Sequence, residues 1–284
     1  MDSLVYNDRI SSNDYFGRFR TIISDPINVL IHRVPYAGFI KDGLVFLHNG
    51  LSVPFEGDLA YYDNFSNILI YNRGVHEPLE ELCFQEFLKK TGKRISMIEL
   101  GAYWGHYSAW LKQLKPKSYV CLVEPEITHL EVGKANFLKN NFDATFINDF
   151  VGDGHFEIDD YFKKNNISQL DLLHSDIQGY ELEMIYGAQN SLREYKIDYL
   201  MISTHKNKIH YSIIKFLISL GYVIEIDSNL DHSFSIDGFI FARSPTSRKI
   251  MNDWVPLGRT EIQNLNSVEI SAYLQDSIKI LGIL

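Results

Sequence analysis

This chain predicts an α/β fold, a Rossmann-like and mostly parallel sheet, and three observations carry that prediction. From Ile95 onward, short apolar runs alternate with longer segments that carry apolar residues at helical spacing. The stretch Met97–Gly105, reading Met-Ile-Glu-Leu-Gly-Ala-Tyr-Trp-Gly, looks like a buried strand that turns through Gly101 and Gly105 into an amphipathic helix. The next apolar run ends in Glu124, about twenty residues past that turn, where an α/β nucleotide site places the acid that bonds ribose hydroxyls.

Residues 1 to 90 lack this rhythm and read as an accessory, substrate-side layer rich in hairpins. Ile22–Val34 is expected to be a strand region broken by Pro26, and Asp42-Gly43 and Asn49-Gly50 mark turns within Gly38–Leu51. Pro78, with Glu80 and Glu81 after it, fits the first turn of a helix reaching about Lys90. Residues 91–243 then read as the cofactor-binding domain. Its strands are Ile95–Leu100, Tyr119–Val123, Ala144–Ile147, Leu170–Ser175 and Asp198–Ser203, closed by a pair at Tyr222–Asp227 and Ser235–Ala242. Helices are expected at Gly105–Leu114, Ile127–Asn140, Ile158–Asn165, Tyr180–Tyr195 and Lys208–Leu220. The extension 244–284 carries a helix-like stretch, Val268–Leu281, suited either to docking on the domain or to a homo-oligomer contact.

With 284 residues, 45% hydrophobic and 22% charged, the composition is that of a globular protein. The formal net charge of −9 and the lack of a Lys/Arg block argue against a nucleic-acid partner. Cys83 and Cys121 form no Cys-x-x-Cys pair and suggest no disulfide framework, which favours a reducing compartment. Met1–Ile10 does not read as a signal peptide, and no apolar run of about eighteen residues suggests membrane insertion. A cytoplasmic protein is therefore expected.

In a parallel sheet the strand C-termini share one edge, and ligands bind there. The loop Glu-x-Gly-x-x-x-Gly is wider than the Gly-x-Gly-x-x-Gly of a dinucleotide site, and it suits a nucleoside without a pyrophosphate. Its glycines permit positive φ and close approach of a ligand, and the following helix offers free N–H groups. Asp176 and His205 end neighbouring predicted strands, with His210 and Asp237 expected close by. Each has a plainer reading: Asp176 as a helix cap, His205 as a loop histidine, His210 as an ordinary residue of a helix's first turn, Asp237 with Gly238 as a turn pair. His76 and Glu77 precede the domain, either as a capped helix start or with Glu77 or Glu81 lining the substrate side of the pocket.

The segment Asp171–Leu192, with Asp-Leu-Leu-His-Ser-Asp-Ile-Gln-Gly-Tyr-Glu and then Gly187-Ala188, resembles the hallmark of the FkbM family of S-adenosylmethionine-dependent methyltransferases. The family form there is Lys-x-Asp-x-Glu-Gly-x-Glu; His174 stands for the Lys and Gln178 for the first Glu, while Glu181 is retained. The glycine turn and Val123–Glu126 match as well, so the resemblance runs from Ile95 to Ala242. It implies a seven-stranded sheet with an antiparallel last strand, and O-methylation of a sugar- or polyketide-type hydroxyl on a small-molecule or glycan acceptor. By position, Glu99, Gly101 and Gly105 would shape the methionine pocket, together with Ala102, Tyr103, Trp104, Tyr107 and Ser108. Glu124, followed by Pro125, would bond the ribose, and Asp149 and Phe150 would flank the adenine.

Methyl transfer to an alcohol needs alignment and a destination for the hydroxyl proton. His205 as general base is one device, with Asp176, Gln178 and Glu181 beside it. A divalent magnesium or manganese ion on Asp176, His205 and Asp237 is the other. The competing readings are a silent cofactor- or partner-binding domain, an N-methyltransferase and a nicotinamide oxidoreductase. The glycine spacing disfavours the last, and the lack of an Asn-Pro-Pro-Tyr-like tetrapeptide counts against an N-methyltransferase of nucleic acid or protein.

Overall fold

The computed structural model describes residues 15–57, 60 and 66–283. The reading of Met1–Ile10 lies outside the described residues.

Helix α1 (Tyr15–Ser24) and a 3₁₀ turn (Pro26–Leu30) open the described chain. This replaces the strand expected at Ile22–Val34. Asp25 accepts from the Ile27 amide at 3.0 Å and Pro26 occupies the first turn, so cap chemistry overrides the apolar run. Strands β1 (Ile40–Lys41), β2 (Leu44–Phe46) and β3 (Ser52–Pro54) form an antiparallel three-stranded sheet around the two predicted turns. Short α2 (Asn67–Tyr71) follows, then α3 (Pro78–Lys90), which begins at Pro78 as its sequence demands.

The main sheet has the order β6-β5-β4-β7-β8-β10-β9. Its strands are β4 (Ser96–Leu100), β5 (Tyr119–Val123), β6 (Thr145–Ile147), β7 (Leu170–Ser175), β8 (Ile197–Thr204), β9 (Val223–Ser228) and β10 (Gly238–Arg243). All neighbours from β6 to β8 pair in parallel, and β10 runs antiparallel to both β8 and β9. The glycine-turn strand β4 therefore lies directly beside β7, which ends before Asp176, and β7 lies beside β8, which ends before His205. The connecting helices are α4 (His106–Leu114), α5 (Ile127–Lys139), α6 (Ile158–Asn165), α7 (Glu181–Gly187), α8 (Gln189–Arg193) and α9 (Asn207–Ser219). The single helix expected at Tyr180–Tyr195 is two: Asp159 of α6 binds the Asn190 and Ser191 amides at 2.8 Å each, which starts a new helix N-terminus.

The central strands are buried on both faces, and alternate residues feed two cores. Met97, Leu172, Tyr199, Met201 and Phe241 face a core shared with α1, α3 and α4. Ile98, Leu100, Leu173, Leu200 and Ile202 face a second core with α6, α7 and α9. The N-terminal layer therefore packs on one face of the sheet, together with α4, α5 and the C-terminal segment. Short α10 (Arg259–Ile262) precedes α11 (Ser267–Leu281), which docks on this same core through Leu281; the Trp254 indole donates to Ser277 at 2.8 Å. Both cysteines are free and buried. Among the described residues, no helix is long and apolar enough to cross a membrane.

Candidate active site

At the end of β4 both glycines have the positive φ expected of them, and both are also packed against the protein itself. Gly101 has φ +69°, and an added Cβ would lie 1.7 Å from the Asp176 carbonyl oxygen. Gly105 has φ +76°, and a Cβ there would meet Leu122 and Phe137 at 2.9 Å. Both therefore serve the close packing of the loop on the protein itself; side chains would be excluded without any ligand.

Two of the N–H groups at the start of α4, those of Tyr107 and Ser108, are taken by Glu99. Glu99 is buried and accepts from the Ser108 amide at 3.0 Å, with the Tyr107 amide contributing. Burial raises its pKa, while His174 and these amides oppose the rise. An internal carboxylate so occupies the place where a helix N-terminus would hold a phosphate. Ser108, fully buried, anchors Glu99 and does not line the cleft.

Glu124, at the end of β5, is bound through both oxygens: Oε2 accepts from the Tyr103 amide and Oε1 from the Glu126 amide, each at 3.0 Å. It thereby holds the glycine loop against its own. Between these loops and the end of β7 opens a cleft of about 330 Å³. Glu77, Glu99, Glu124, Glu126 and Asp176 supply its carboxyl groups; Trp104, Pro125, Phe150 and Val151 supply apolar wall. Gly101, Ala102, Tyr103, Tyr107, His76 and Gln178 also face it. Phe150 is exposed at its mouth, whereas Asp149 is bound to its neighbours, accepting from the Phe150 amide at 2.9 Å and lying 3.0 Å from His155 Nδ1.

The strand-end residues do converge. His205 Nδ1 lies 2.6 Å from Glu181 Oε1, and Nε2 lies between Asp176 Oδ1 (3.2 Å) and Asp237 Oδ1 (3.3 Å). Burial alone would lower the imidazole pKa; contact with Asp176 and Glu181 and the charge of Asp237 outweigh it and push it up to about 11. His205 is thus an imidazolium set among three acids, which corrects its expected role as a base: it has no lone pair to offer near neutral pH. The metal expected on Asp176, His205 and Asp237 fares no better. Among the described residues, these three do not bring their ligand atoms within 4.8 Å of one another. Gln178, at φ +52°, donates to Asp176 at 3.2 Å. Glu181 is fully buried and also accepts from the Gly179 amide at 2.8 Å.

His210 belongs elsewhere. It is fully buried, with Nδ1 2.8 Å from Thr204 Oγ1 and Nε2 2.8 Å from Asp227 Oδ1, so it pins α9 to β8 and β9 and does not reach the cleft. A substrate role is not supported by that placement.

Both readings of the His76–Glu81 segment hold, on different residues. Glu81 Oε1 accepts from the His76 and Glu77 amides at 2.8 and 3.0 Å, a helix-start device. Glu77 instead lines the cleft and accepts from the Tyr107 hydroxyl at 3.0 Å; burial and the charge of Glu80 push its pKa up to about 8. His76 sits on Glu81 at 2.7 Å; burial opposes its charge, but Glu81 and Glu77 push the pKa up to about 9. Behind them His174 Nε2 meets Glu80 Oε1 at 2.5 Å, and Ser203 donates to Glu80 at 2.6 Å.

Sequence reasoning passed over three participants: Glu80 beneath the cleft, His106 in its wall and His48 behind it. His106 directly follows Gly105 and so had a positional signal. His48 had none, because its place depends on how the N-terminal sheet lies against α3.

Comparison with known proteins gives the following. Residues 154–224 match the family described as "Methyltransferase FkbM domain". A curated protein of Jannaschia sp. (strain CCS1), named "Putative methyltransferase", is 33% identical over 84 residues, which is 27% of this chain and 30% of that protein. Among solved structures, methyltransferase FkbM from Methylobacillus flagellatus KT is similar with a TM-score of 0.44 at 19% identity, over 54% of this chain and 44% of that one. TrmK from M. capricolum, in complex with S-adenosyl-homocysteine, has a TM-score of 0.44 at 13% identity, over 70% and 96%. The chain thus spans under a third of the length of the curated relative and under half of the FkbM structure. The segment 154–224 is thus similar to the FkbM methyltransferase domain.

Proposed function

We propose that this chain is an S-adenosylmethionine-dependent methyltransferase acting on a hydroxyl, of a sugar, a glycan or a sugar-bearing natural product. The observation that carries the cofactor class is the charge of the cleft. Five acidic residues line it, Glu77, Glu99, Glu124, Glu126 and Asp176, with no Lys or Arg among the described residues that line it, and Glu99 holds the Ser108 amide at the start of α4. Glu77, its pKa raised to about 8, and His76, raised to about 9, offset part of that charge. Glu124, Glu126 and Asp176 still stand at the cleft and no described Lys or Arg there receives a pyrophosphate, an arrangement that suits a nucleoside carrying positive charge. The residues fit a nucleoside sulfonium: Glu124 keeps acceptor capacity for a diol beyond its two amide bonds, and Trp104, Pro125 and Phe150 offer apolar surface to a base.

When bound, S-adenosylmethionine supplies an electrophilic methyl group, which leaves the sulfur as the acceptor oxygen takes it. The chain's own part is to align that oxygen and take its proton. Asp176 is the carboxylate at the cleft wall, and its contacts with His205 and Gln178 both fall on Oδ1. Oδ2 is the oxygen left to accept the proton. His205 Nε2, 3.2 Å from Oδ1, fixes the direction of the Asp176 carboxyl group, a positioning role. The hydroxyl acceptor and its sugar-type class rest on the resemblance of Asp171–Leu192.

Calorimetric titration with S-adenosylhomocysteine and, separately, with NAD⁺ tests the reading. Expected are a micromolar dissociation constant for the nucleoside, about tenfold weaker binding in Glu124→Gln, and no heat with NAD⁺. Absence of nucleoside binding, or tighter binding of NAD⁺, would overturn it. Nucleoside binding without methyl transfer to any hydroxyl acceptor would support a silent domain.

A further inference from the structure

We propose that His48, Glu81 and His106 form a binding site for a divalent first-row transition ion of the zinc class, clamping the N-terminal layer to the sheet domain. The three residues come from three segments: the turn between β2 and β3, the start of α3, and the first residue of α4. All are buried, at 0%, 0% and 3% exposure, and their ligand atoms lie within 4.8 Å of one another.

The hydrogen bonding is what an ion explains. His48 Nδ1 lies 3.2 Å from the His32 carbonyl oxygen, which can only accept, so Nδ1 carries a proton and Nε2 is the nitrogen left for a ligand. Nε2 lies 2.9 Å from Glu81 Oε2. Neither atom has a directed hydrogen bond among the described residues. With a lone pair on Nε2 the two atoms would be acceptors facing each other in a dry interior, and a cation there, a proton or a metal ion, is what satisfies both. The other carboxylate oxygen, Oε1, is held by the His76 and Glu77 amides and lies 2.7 Å from His76 Nδ1, which leaves Oε2 for the ion. His106 completes the set: both its ring nitrogens lack a hydrogen-bond partner among the described residues, although the ring is buried and stacked on Trp104 at 5.2 Å. Buried polar atoms without partners are rare, and a ring nitrogen beside a histidine–carboxylate pair is a metal ligand in waiting.

The donor set of two imidazoles and one carboxylate suits zinc or its first-row neighbours, and disfavours magnesium and calcium, which prefer all-oxygen shells. The His48 Nδ1–carbonyl contact and the amides on Glu81 are outer-shell supports of the kind that orient metal ligands. Since His106 also lines the cofactor cleft, the ion would fix one wall of that cleft.

The test uses the full chain and three readouts. Elemental analysis of protein purified without chelator is expected to find about one transition ion per chain. After chelation, the apoprotein is expected to melt at lower temperature, regain its melting temperature on adding zinc, and give the visible d–d absorption of nitrogen-ligated, near-tetrahedral cobalt on adding Co²⁺. His106→Gln is expected to weaken zinc binding at least tenfold and abolish the cobalt spectrum. His48→Gln, whose site lies behind the cleft, serves as second variant should His106→Gln fail to fold. Metal-free protein whose apo form shows neither a zinc-dependent melting shift nor a cobalt spectrum would overturn the proposal. So would zinc binding of equal strength in both variants.

Discussion

Two carboxylate–histidine clusters flank one cleft, and they are built differently. At the ends of β7 and β8, His205 has acids against both ring nitrogens, and Asp176 is 30% exposed at the cleft. Behind the opposite wall, Glu81 is wholly buried between His48 and His76, and His106 beside it lacks partners for either nitrogen. Both use the same residue types. The first is a wet-edged charge cluster whose surplus of acids keeps its histidine protonated; the second is a dry cluster whose donors and acceptors do not match. In the first, energy is stored in the direction of one exposed carboxylate. In the second it is stored in the integrity of the layer contact. Burial decides which of the two is felt as function and which as stability.

The largest expected effect separates them on stability. Glu81→Ala leaves buried His76 and two backbone amides without their carboxylate, and should cost about 3–5 kcal/mol of unfolding free energy, as breaking buried ionic groups does. Chemical denaturation of wild type and variant measures it. A loss below about 1 kcal/mol, the range of exposed pairs, would erase the difference between the clusters.

Asp176→Ala should show the reverse pattern. Its carboxylate is partly exposed, and His205 keeps Glu181 and Asp237, so the melting point should barely move. Methyl transfer should fall by about a hundredfold, the lower end of general-base effects, with S-adenosylhomocysteine affinity retained. Equal activity in the variant would move the proton acceptor to another carboxylate, Glu77 being the next in the cleft.

How legible these clusters were in the sequence follows from their range. The parallel βα rhythm, the sheet neighbours of β4 and β7, and the meeting of Asp176 with His205 and Asp237 all follow from strand order, which apolar runs and crossover rules constrain. What the runs do not encode is side-chain direction. Glu99 turning back onto the α4 amides, Glu124 binding its own loop and His210 facing β9 depend on local rotamers. The strand expected at Ile22–Val34 failed for a local reason, the Asp25-Pro26 cap. The His48–Glu81–His106 set was hidden for a global one: its members are 33 and 25 residues apart in sequence and meet only because the N-terminal layer lies on the sheet.

The smallest expected effect sharpens the contrast at His205. Its pKa, raised from 6.5 to about 11 by Asp176, Glu181 and Asp237 against the pull of burial, means that the folded state binds this proton more tightly than the unfolded state does. The stabilisation is therefore complete below about pH 6.5, declines as pH rises and is gone above about pH 11. In NMR spectra of the imidazole nitrogens, His205 should stay protonated and show no titration between about pH 5.5 and 8.5. Asp237→Asn removes one of the three acids, so it should lower the midpoint while leaving it above the ordinary histidine value. A wild-type midpoint near 6.5 would return His205 to the role of general base and make the exposed cluster, not Asp176 alone, the proton acceptor.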